Sequence, residues 1–315
     1  MSATDVARSA RTQAAREAPR REARSDVTPG AWLGRVAMIV VAVFFVLFFV
    51  IPIVWLLLAS TKSPHDLITT GPFTAGSFSD LAANWNALVT FQDGIVFRWL
   101  GNSTYYSLAA LVITLVTTVP AGYALALSSF RGRHLLLTTT LVVMLIPNTA
   151  LVLPIFLELS AVGLIGKPLA AILPFSFFPF GVYLTYIYFS TSVPRDLLDA
   201  ARIDGCGELA VFLRVAMPLA TPVIALVGFF SFVANWNNFF LPFLTVPGKG
   251  SPIQVGLTDL LSNVPSFNPT AAGVTAIELP TLAVATLLSV LPVLLIFLFS
   301  QRFLVAGLTA GGTKE

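Results

Sequence analysis

Long uncharged stretches alternate with short charged segments along this chain. Six stretches of more than 20 residues contain no Asp, Glu, Lys, Arg or His. A helix that crosses a bilayer needs about 20 mainly apolar residues with few charges, so each stretch is long enough for one crossing. The pattern predicts an all-α integral membrane protein with six transmembrane helices, at about 36–59, 103–127, 135–157, 169–192, 219–246 and 279–300.

The composition agrees with a membrane location. Of the 315 residues, 56% are apolar and 10% are charged, against about 25% charged in ordinary soluble domains. This composition excludes a typical soluble enzyme, a nucleic-acid-binding module and a disordered protein. Cys206 is the one cysteine, which excludes an internal disulfide, and no Cys/His cluster has the spacing of a zinc site.

The positions of the basic residues predict the orientation in the membrane. With both termini in the cytoplasm, only four of the 18 Lys and Arg residues lie outside, in agreement with the positive-inside rule. The basic pI therefore reflects membrane orientation and not a nucleic-acid partner. Segment 1–33, rich in Ala and Arg, is predicted to be a disordered basic cytoplasmic tail. Residues 34–308 form the predicted membrane domain, and 309–315 form a cytoplasmic C-terminal tail.

Groups that drive transport or catalysis are missing from the sequence. Proton pumps and proton-coupled carriers need ionisable residues at membrane depth, and the six stretches contain none. Sodium coupling stays open, because backbone carbonyls can coordinate Na⁺. The chain has no Walker A loop, no catalytic-triad motif and no metal-binding motif. We therefore predict no catalytic residue, no metal site and no bound cofactor, and active transport would need energy from a partner.

A charged segment, 195–218, separates the fourth and fifth predicted spans. Pro194 and Gly205 mark the start and end of a short helix, and a second helix is predicted from Glu208 to about Met217. On the first helix four residues share one face, with two adjacent alanines that leave room for another protein's backbone; they are Leu197, Ala200, Ala201 and Asp204. The spacing also allows ion pairs Arg195–Asp199 and Asp199–Arg202. The residues alone fit a solvated connector as well as a docking element.

The same segment resembles the EAA loop of ABC importer membrane subunits, whose pattern is roughly E-A-A-x-x-D-G-A followed by L-P. Here it stands as Asp199-Ala200-Ala201-Arg202-Ile203-Asp204-Gly205-Cys206, then Met217-Pro218-Leu219. Two departures are visible, since Asp199 replaces the leading Glu and Cys206 replaces the Ala after the glycine. The first departure shortens the reach of the carboxylate but keeps its charge.

Further segments, in the same order along about residues 35–315, resemble the sugar-type, MalG-like permeases of this family. They are Asn102-Ser103, 121–126 with 130–133, 144–147, 232–239 and 301–312. The N-terminal extension 1–33 is not part of that resemblance.

The resemblance implies a fold, partners and a role. The fold would be the type I ABC importer permease fold with a cytoplasmic coupling helix, in the bacterial cytoplasmic membrane. The chain would be a non-catalytic subunit that forms a heterodimer with a second permease subunit. Two cytoplasmic ATPases would use ATP and Mg²⁺, and an extracellular or periplasmic solute-binding protein would deliver a sugar or oligosaccharide. Coupling to the ATPase would depend on Asp199, Ala200, Ala201, Asp204, Gly205 and Pro218.

Four neighbouring residues of the fifth span carry polar or aromatic groups: Asn235, Trp236, Asn237 and Asn238. Amides facing lipid would be costly, so these residues should face the bundle interior, either as contacts between helices or as the lining of the solute path. Three other functions stay open for the chain. They are an ABC permease for glycerol phosphate, a polyol or another solute, a secondary carrier working alone, and a membrane scaffold or sensor.

Overall fold

The computed structural model describes residues 29–271 and 276–310, and it describes side chains over 32–270 and 276–303. Most of the predicted N-terminal tail and the last five residues therefore lie outside the described part. Between these limits the regular elements are helices, joined by turns. They are α1 (Pro29–Ala59), α2 (Pro64–Thr69), α3 (Phe78–Thr90), α4 (Ile95–Leu127), α5 (Arg133–Met144), α6 (Asn148–Ala161), α7 (Pro168–Ser176), α8 (Pro179–Thr191), α9 (Arg195–Ile203), α10 (Glu208–Leu219), α11 (Thr221–Trp236), α12 (Phe240–Thr245), α13 (Ile253–Ser262) and α14 (Leu279–Ala310).

Four helical segments of the described chain are long and apolar enough to cross a membrane: Trp32–Ala59, Phe78–Leu127, Pro168–Thr191 and Leu279–Phe303. Two bent pairs, α5 with α6 and α10 with α11, bring the number to six if each pair makes one crossing. The predicted all-α membrane fold is confirmed.

Helix α1 is apolar on all sides. Its residues up to Ile53 form a unit of their own, and a second compact unit runs from Val54 onwards. The helix begins at Pro29, inside the segment that the sequence predicts to be disordered. Within it Phe44, Phe45 and Phe48 are all more than half exposed. A helix that is apolar all round fits a membrane span and not a soluble surface helix.

Three of the predicted continuous spans are interrupted. The third bends by 105° at residues 145–147, ahead of α6. The fourth is interrupted at residues 177–178, where Phe178 has φ −126° and ψ 82°. A residue before proline avoids the helical region; Pro147 is the last residue of the first break, and Pro179 directly follows the second. The fifth stops at Trp236 and resumes at Phe240, and the break contains Asn237 and Asn238, a residue type that disfavours helix interiors.

Helix α4 lies at the centre of the second unit and packs against α8 and α11. Small and hydroxyl residues make these contacts close. Thr114 donates a hydrogen bond to the carbonyl of Ser176 at 3.0 Å and accepts one from Ser231 at 3.2 Å. At Gly122 a Cβ atom would overlap the side chain of Thr185 on α8. These bonds and close approaches hold α4, α7, α8 and α11 together without charged groups.

The N-terminal end of α4, on the side predicted to face outward, is hydrogen-bonded to the turn that precedes α13. Asn102 Nδ2 donates to the carbonyls of Lys249 and Ser251, at 2.9 and 3.0 Å. Ser103 Oγ accepts from the backbone N–H of Ile253 at 2.8 Å. Tyr106 and Trp99 donate to carbonyls of the same turn. The Asn102-Ser103 pair noted in the sequence therefore fixes this turn on α4.

Candidate functional site

The charged loop folds as two short helices around a glycine turn. Helix α9 starts after Pro194, whose missing N–H costs nothing at a helix start. Gly205 has φ +85°, a left-handed conformation that favours glycine. The turn is closed by the N–H of Cys206, which donates to the carbonyl of Ala201 at 3.0 Å. The predicted bounds of this helix agree with the structure to within one residue.

Helix α10 contains a widened turn over Phe212–Ala216. There the N–H of Met217 bonds the carbonyl of Phe212, five residues earlier, instead of the usual four. Pro218 has no N–H for the carbonyl of Arg214, and its ring crowds that carbonyl, so a wider turn just before it relieves the clash. Pro218 therefore shapes the second half of the loop.

The face of α9 that the sequence singled out is accessible. Ala200 and Asp204 are exposed and Ala201 is partly exposed, whereas Leu198 on the other face is only 1% exposed. Next to this face Ile203 is 86% exposed and Leu209 is 70% exposed. Large apolar side chains exposed among charged groups typically mark a protein-binding surface.

A guanidinium joins the two loop helices. Arg202 pairs with Asp199 at 2.7 Å, as predicted, and also makes a two-pronged bond to Glu208, at 2.8 and 3.1 Å. The predicted Arg195–Asp199 pair does not form in the described loop. These bonds raise the pKa of Arg202, and the bond from Arg202 lowers the pKa of the Glu208 carboxyl. Glu208 was predicted only as the start of the second loop helix; its pairing with Arg202 was not predicted, because the glycine turn brings the two together outside helical spacing.

The loop rests on the bundle through an aromatic and aliphatic cluster. Leu198 and Val211 from the two loop helices pack with Tyr123 of α4 and Phe189 of α8. Tyr188 donates a hydrogen bond to the carbonyl of Leu219 at 2.9 Å, where the loop ends. The exposed face of α9 is therefore held at a fixed position on α4 and α8.

The four polar and aromatic residues of the fifth span have different surroundings. Trp236 is buried, and its Nε1 donates to the carbonyl of Ser289 on α14 at 3.0 Å. The amide of Asn235 turns back onto its own helix and donates to the carbonyl of Ser231 at 2.8 Å. Asn237 is exposed, and Asn238 is partly exposed. Trp236 thus joins two helices, while Asn237 presents its amide to an open surface.

A cavity of about 420 Å³ lies at the helix breaks. Its walls include Ile146 and Asn148 from the first break, Phe177 and Phe178 from the second, and Ala234 just before the third. Non-helical backbone at membrane depth is tolerated where it is buried in protein or lines a water-filled space. The breaks and the cavity therefore mark a side of the bundle that does not face lipid.

Comparison with known proteins agrees with these features. The family model described as "Binding-protein-dependent transport system inner membrane component" matches residues 118–310, which include the breaks, the loop and the fifth span. The chain belongs to this family. The permease is thus a multi-pass inner-membrane protein. The prediction that it is a permease subunit of an ABC importer is confirmed.

Several curated relatives are similar over most of their length. The permease is 32% identical to the arabinooligosaccharides transport system permease protein AraQ of Bacillus subtilis, over 89% of this chain and 96% of the relative. It is 30% identical to AraQ of Halalkalibacterium halodurans, over 84% and 91% of the two chains. It is 29% identical to the diacetylchitobiose uptake system permease protein NgcG of Streptomyces coelicolor, over 84% and 83%.

A solved structure confirms the fold. A chain of a bacterial ABC transporter involved in the import of the acidic polysaccharide alginate superposes with a TM-score of 0.75 at 21% identity. The match covers 88% of this permease and 98% of that chain. The predicted type I importer permease fold therefore holds for the described part of the permease.

Proposed function

We propose that this permease translocates a sugar or oligosaccharide that an extracellular or periplasmic solute-binding protein delivers. The observation that carries the proposal is the extent of the similarity. Relatives whose names specify arabinooligosaccharide and diacetylchitobiose transport align over more than four fifths of this chain. Helix breaks and a cavity within the apolar spans give such a solute a place to pass.

In this proposal the loop 195–218 couples the permease to a cytoplasmic ATPase. The exposed face of α9 offers Ala200 for close backbone approach, with Asp199 and Asp204 beside it; Ala201 is partly exposed there and also packs against the cluster beneath the loop. Ile203 and Leu209 supply apolar contact area at the edge of that face. Gly205 allows the turn, and Pro218 shapes the helix behind it. The permease itself catalyses nothing, and two partner ATPases bind ATP and Mg²⁺.

The solute path runs along the surface that carries the helix breaks. Asn148 and the phenylalanines at the second break offer an amide and aromatic faces, which suit the polar and apolar faces of a sugar ring. Asn237 adds an exposed amide at the break in the fifth span. A second, homologous permease subunit completes the path by covering this surface. Both termini lie in the cytoplasm, as the positive-inside rule requires.

A permease for glycerol phosphate or a polyol is the second candidate, and a secondary carrier is the third. A phosphate-bearing solute favours cationic groups in the path, and the residues that line the cavity carry none. A secondary carrier has no need of an exposed docking face on a charged loop.

Reconstitution tests these functions. The permease, its partner subunits and the binding protein are placed in vesicles, and uptake of labelled oligosaccharide is measured with and without ATP. We expect ATP-dependent uptake that is lost in Gly205→Asp and Ala201→Trp while assembly survives. Gly207→Asp is the matched control, because Gly207 has an ordinary φ of −68° and lies at the start of α10, where Asp is favourable. Uptake without ATPase or ATP would establish a carrier, and normal uptake in both loop variants would refute the coupling role.

A further inference from the structure

A second cavity, of about 360 Å³, lies where the turn before α13 meets the N-terminal end of α4. Its size falls within the range of about 300–1,000 Å³ that small-molecule sites occupy. The turn lies on the side that the positive-inside rule predicts to face outward, where a solute would arrive. We call this space the outer cavity, and its walls include Trp99, Phe243, Ser251, Thr258, Asp259 and Ser262.

Close packing of α13 on α4 fixes one wall of the outer cavity. Trp99 is 1% exposed, and its Nε1 donates to the carbonyl of Gly248 at 3.3 Å. Gly256 on α13 lies directly against the indole ring, because a Cβ atom there would overlap the ring atoms. This packing holds the polar side chains of α13 in fixed positions beside the cavity.

The polar side chains of the outer cavity offer hydrogen-bond acceptors. Their donors are already bonded to backbone carbonyls of the permease: Trp99 Nε1, Ser251 Oγ, Thr258 Oγ1 and Ser262 Oγ, at 3.3, 3.3, 3.3 and 2.7 Å. The three hydroxyl oxygens can still accept, and an ionised carboxylate such as that of Asp259 only accepts. The outer cavity therefore suits a ligand that donates hydrogen bonds, and it repels an anion.

An exposed aromatic pair leads from the outer cavity to the break in the fifth span. Phe243 is 49% exposed and stacks on Phe239, with ring centroids 5.5 Å apart and planes at 25°. Phe239 directly follows Asn237 and Asn238 in that break. Aromatic surface with a few well-placed polar groups is typical of small-molecule sites. A sugar ring matches both parts, because its C–H face is apolar and its hydroxyls donate hydrogen bonds.

We propose that the outer cavity is an entry subsite for a neutral sugar ring, where Asp259 accepts hydrogen bonds from ring hydroxyls and Phe243 packs against the ring face. The ring then passes along Phe243 and Phe239 to the break at Asn237. Acidic sugars are excluded, because the carboxylate repels them and the side-chain donors of the cavity are already bonded. This inference rests on the sugar transport proposed above and narrows its substrate class to uncharged oligosaccharides.

The test measures sugar binding to the assembled permease complex in nanodiscs, without the binding protein, by saturation-transfer NMR. The neutral probes are arabinotriose and N,N′-diacetylchitobiose, and the anionic probe is trigalacturonate. We expect a neutral probe to bind and trigalacturonate to give no signal. Asp259→Asn should weaken binding of the neutral probe about 10-fold, as expected for a bond to a charged group. Phe243→Ala should weaken it about 5-fold.

Two matched controls lie outside the outer cavity. Asp93→Asn removes a carboxylate at φ +57°, a left-handed conformation that asparagine adopts more readily than most residues. Phe240→Ala removes a ring that is 51% exposed on the same helix as Phe243. Both controls should bind the neutral probe as the unaltered permease does.

A charge reversal tests the selectivity of the subsite. Asp259→Lys replaces an acceptor with ammonium donors, so this variant should bind trigalacturonate more tightly than the neutral probes. An unchanged probe preference in this variant would overturn the subsite, as would equal binding in Asp259→Asn and Asp93→Asn. No signal from either neutral probe, or Ca²⁺ binding at Asp259 in place of sugar, would also overturn it. Failure of sugar transport itself gives a different result, because the unaltered transporter would then show no ATP-dependent uptake of oligosaccharide.

Discussion

Gly122 lies at a close approach between the central helix α4 and α8, and adding one methyl group there tests the packing directly. A Cβ atom on Gly122 would overlap Thr185 Oγ1, lie 2.6 Å from Thr185 Cβ and lie 2.9 Å from the backbone nitrogen of Tyr186. Carbon atoms in good contact are about 3.5–4.0 Å apart, so the helices must separate by about 1 Å. The backbone of Tyr186 cannot rotate out of the way as a side chain can.

The expected change in the free energy of unfolding combines two opposing effects, overpacking and the higher helix propensity of alanine. Overpacking a tight contact costs about 1–3 kcal/mol, and a clash with backbone belongs at the upper end of that range. Ala in place of Gly within a helix returns about 0.5–1 kcal/mol. We therefore expect Gly122→Ala to destabilise the folded permease by about 2 kcal/mol, a factor of about 30 in the equilibrium between the folded and unfolded protein.

Gly228 on α11 provides the matched control. The nearest atom to a Cβ there is Leu111 Cδ1 at 3.7 Å, an ordinary contact, so Gly228→Ala should be neutral or slightly stabilising. The assay is the thermal stability of the purified permease complex in detergent. Replacing Thr185 with Gly in the Gly122→Ala background should restore part of the loss. If Gly122→Ala were as stable as Gly228→Ala, the close packing of α4 on α8 would be refuted.

Two other expectations concern the path and the loop. Asn237→Ala should lower uptake with unchanged assembly. Asn235→Ala should leave uptake near normal, because the Asn235 amide already bonds its own helix. Equal losses in both variants would contradict a path role for Asn237. The bond from Arg202 lowers the pKa of Glu208. The stabilisation that this bond gives the loop is therefore complete at a pH above the usual glutamate pKa, and it is lost as the pH falls through the lowered pKa. Infrared difference titration against Glu208→Gln should place the midpoint below the usual range, and a midpoint within or above it would count against the bridge.

The sequence predicted the features that depend on local composition. Uncharged length identified the membrane spans, and Pro194 with Gly205 gave the bounds of α9. The breaks were not predicted as breaks, because the uncharged stretches were taken as continuous spans through Pro147 and Pro179. Whether a proline bends a helix or interrupts it depends on packing around the freed backbone groups, and that packing is not visible in a single sequence.

Contacts that fall outside helical spacing were also not predictable from the local sequence pattern. Glu208 reaches Arg202 only because Gly205 reverses the chain between them. Within the fifth span, periodicity could not separate Trp236, which bonds α14, from Asn237, which is exposed. Each outcome depends on which neighbouring segment lies opposite the residue in the folded protein. The sequence pattern found the right region, and the structure distinguished the roles of its residues.

Helix α4 connects the two ends of the permease mechanically. On the side predicted to face outward, Asn102 and Ser103 tie it to the turn before α13, and near its other end Tyr123 packs against the loop. It remains one helix through Pro120, whereas the spans around the cavity are broken. An unbroken helix fixed at both ends moves as a rigid body, while broken helices can change angle at their breaks. We therefore expect a displacement of the loop to reach the turn before α13 through α4, and the bundle to change shape at the breaks beside the cavity.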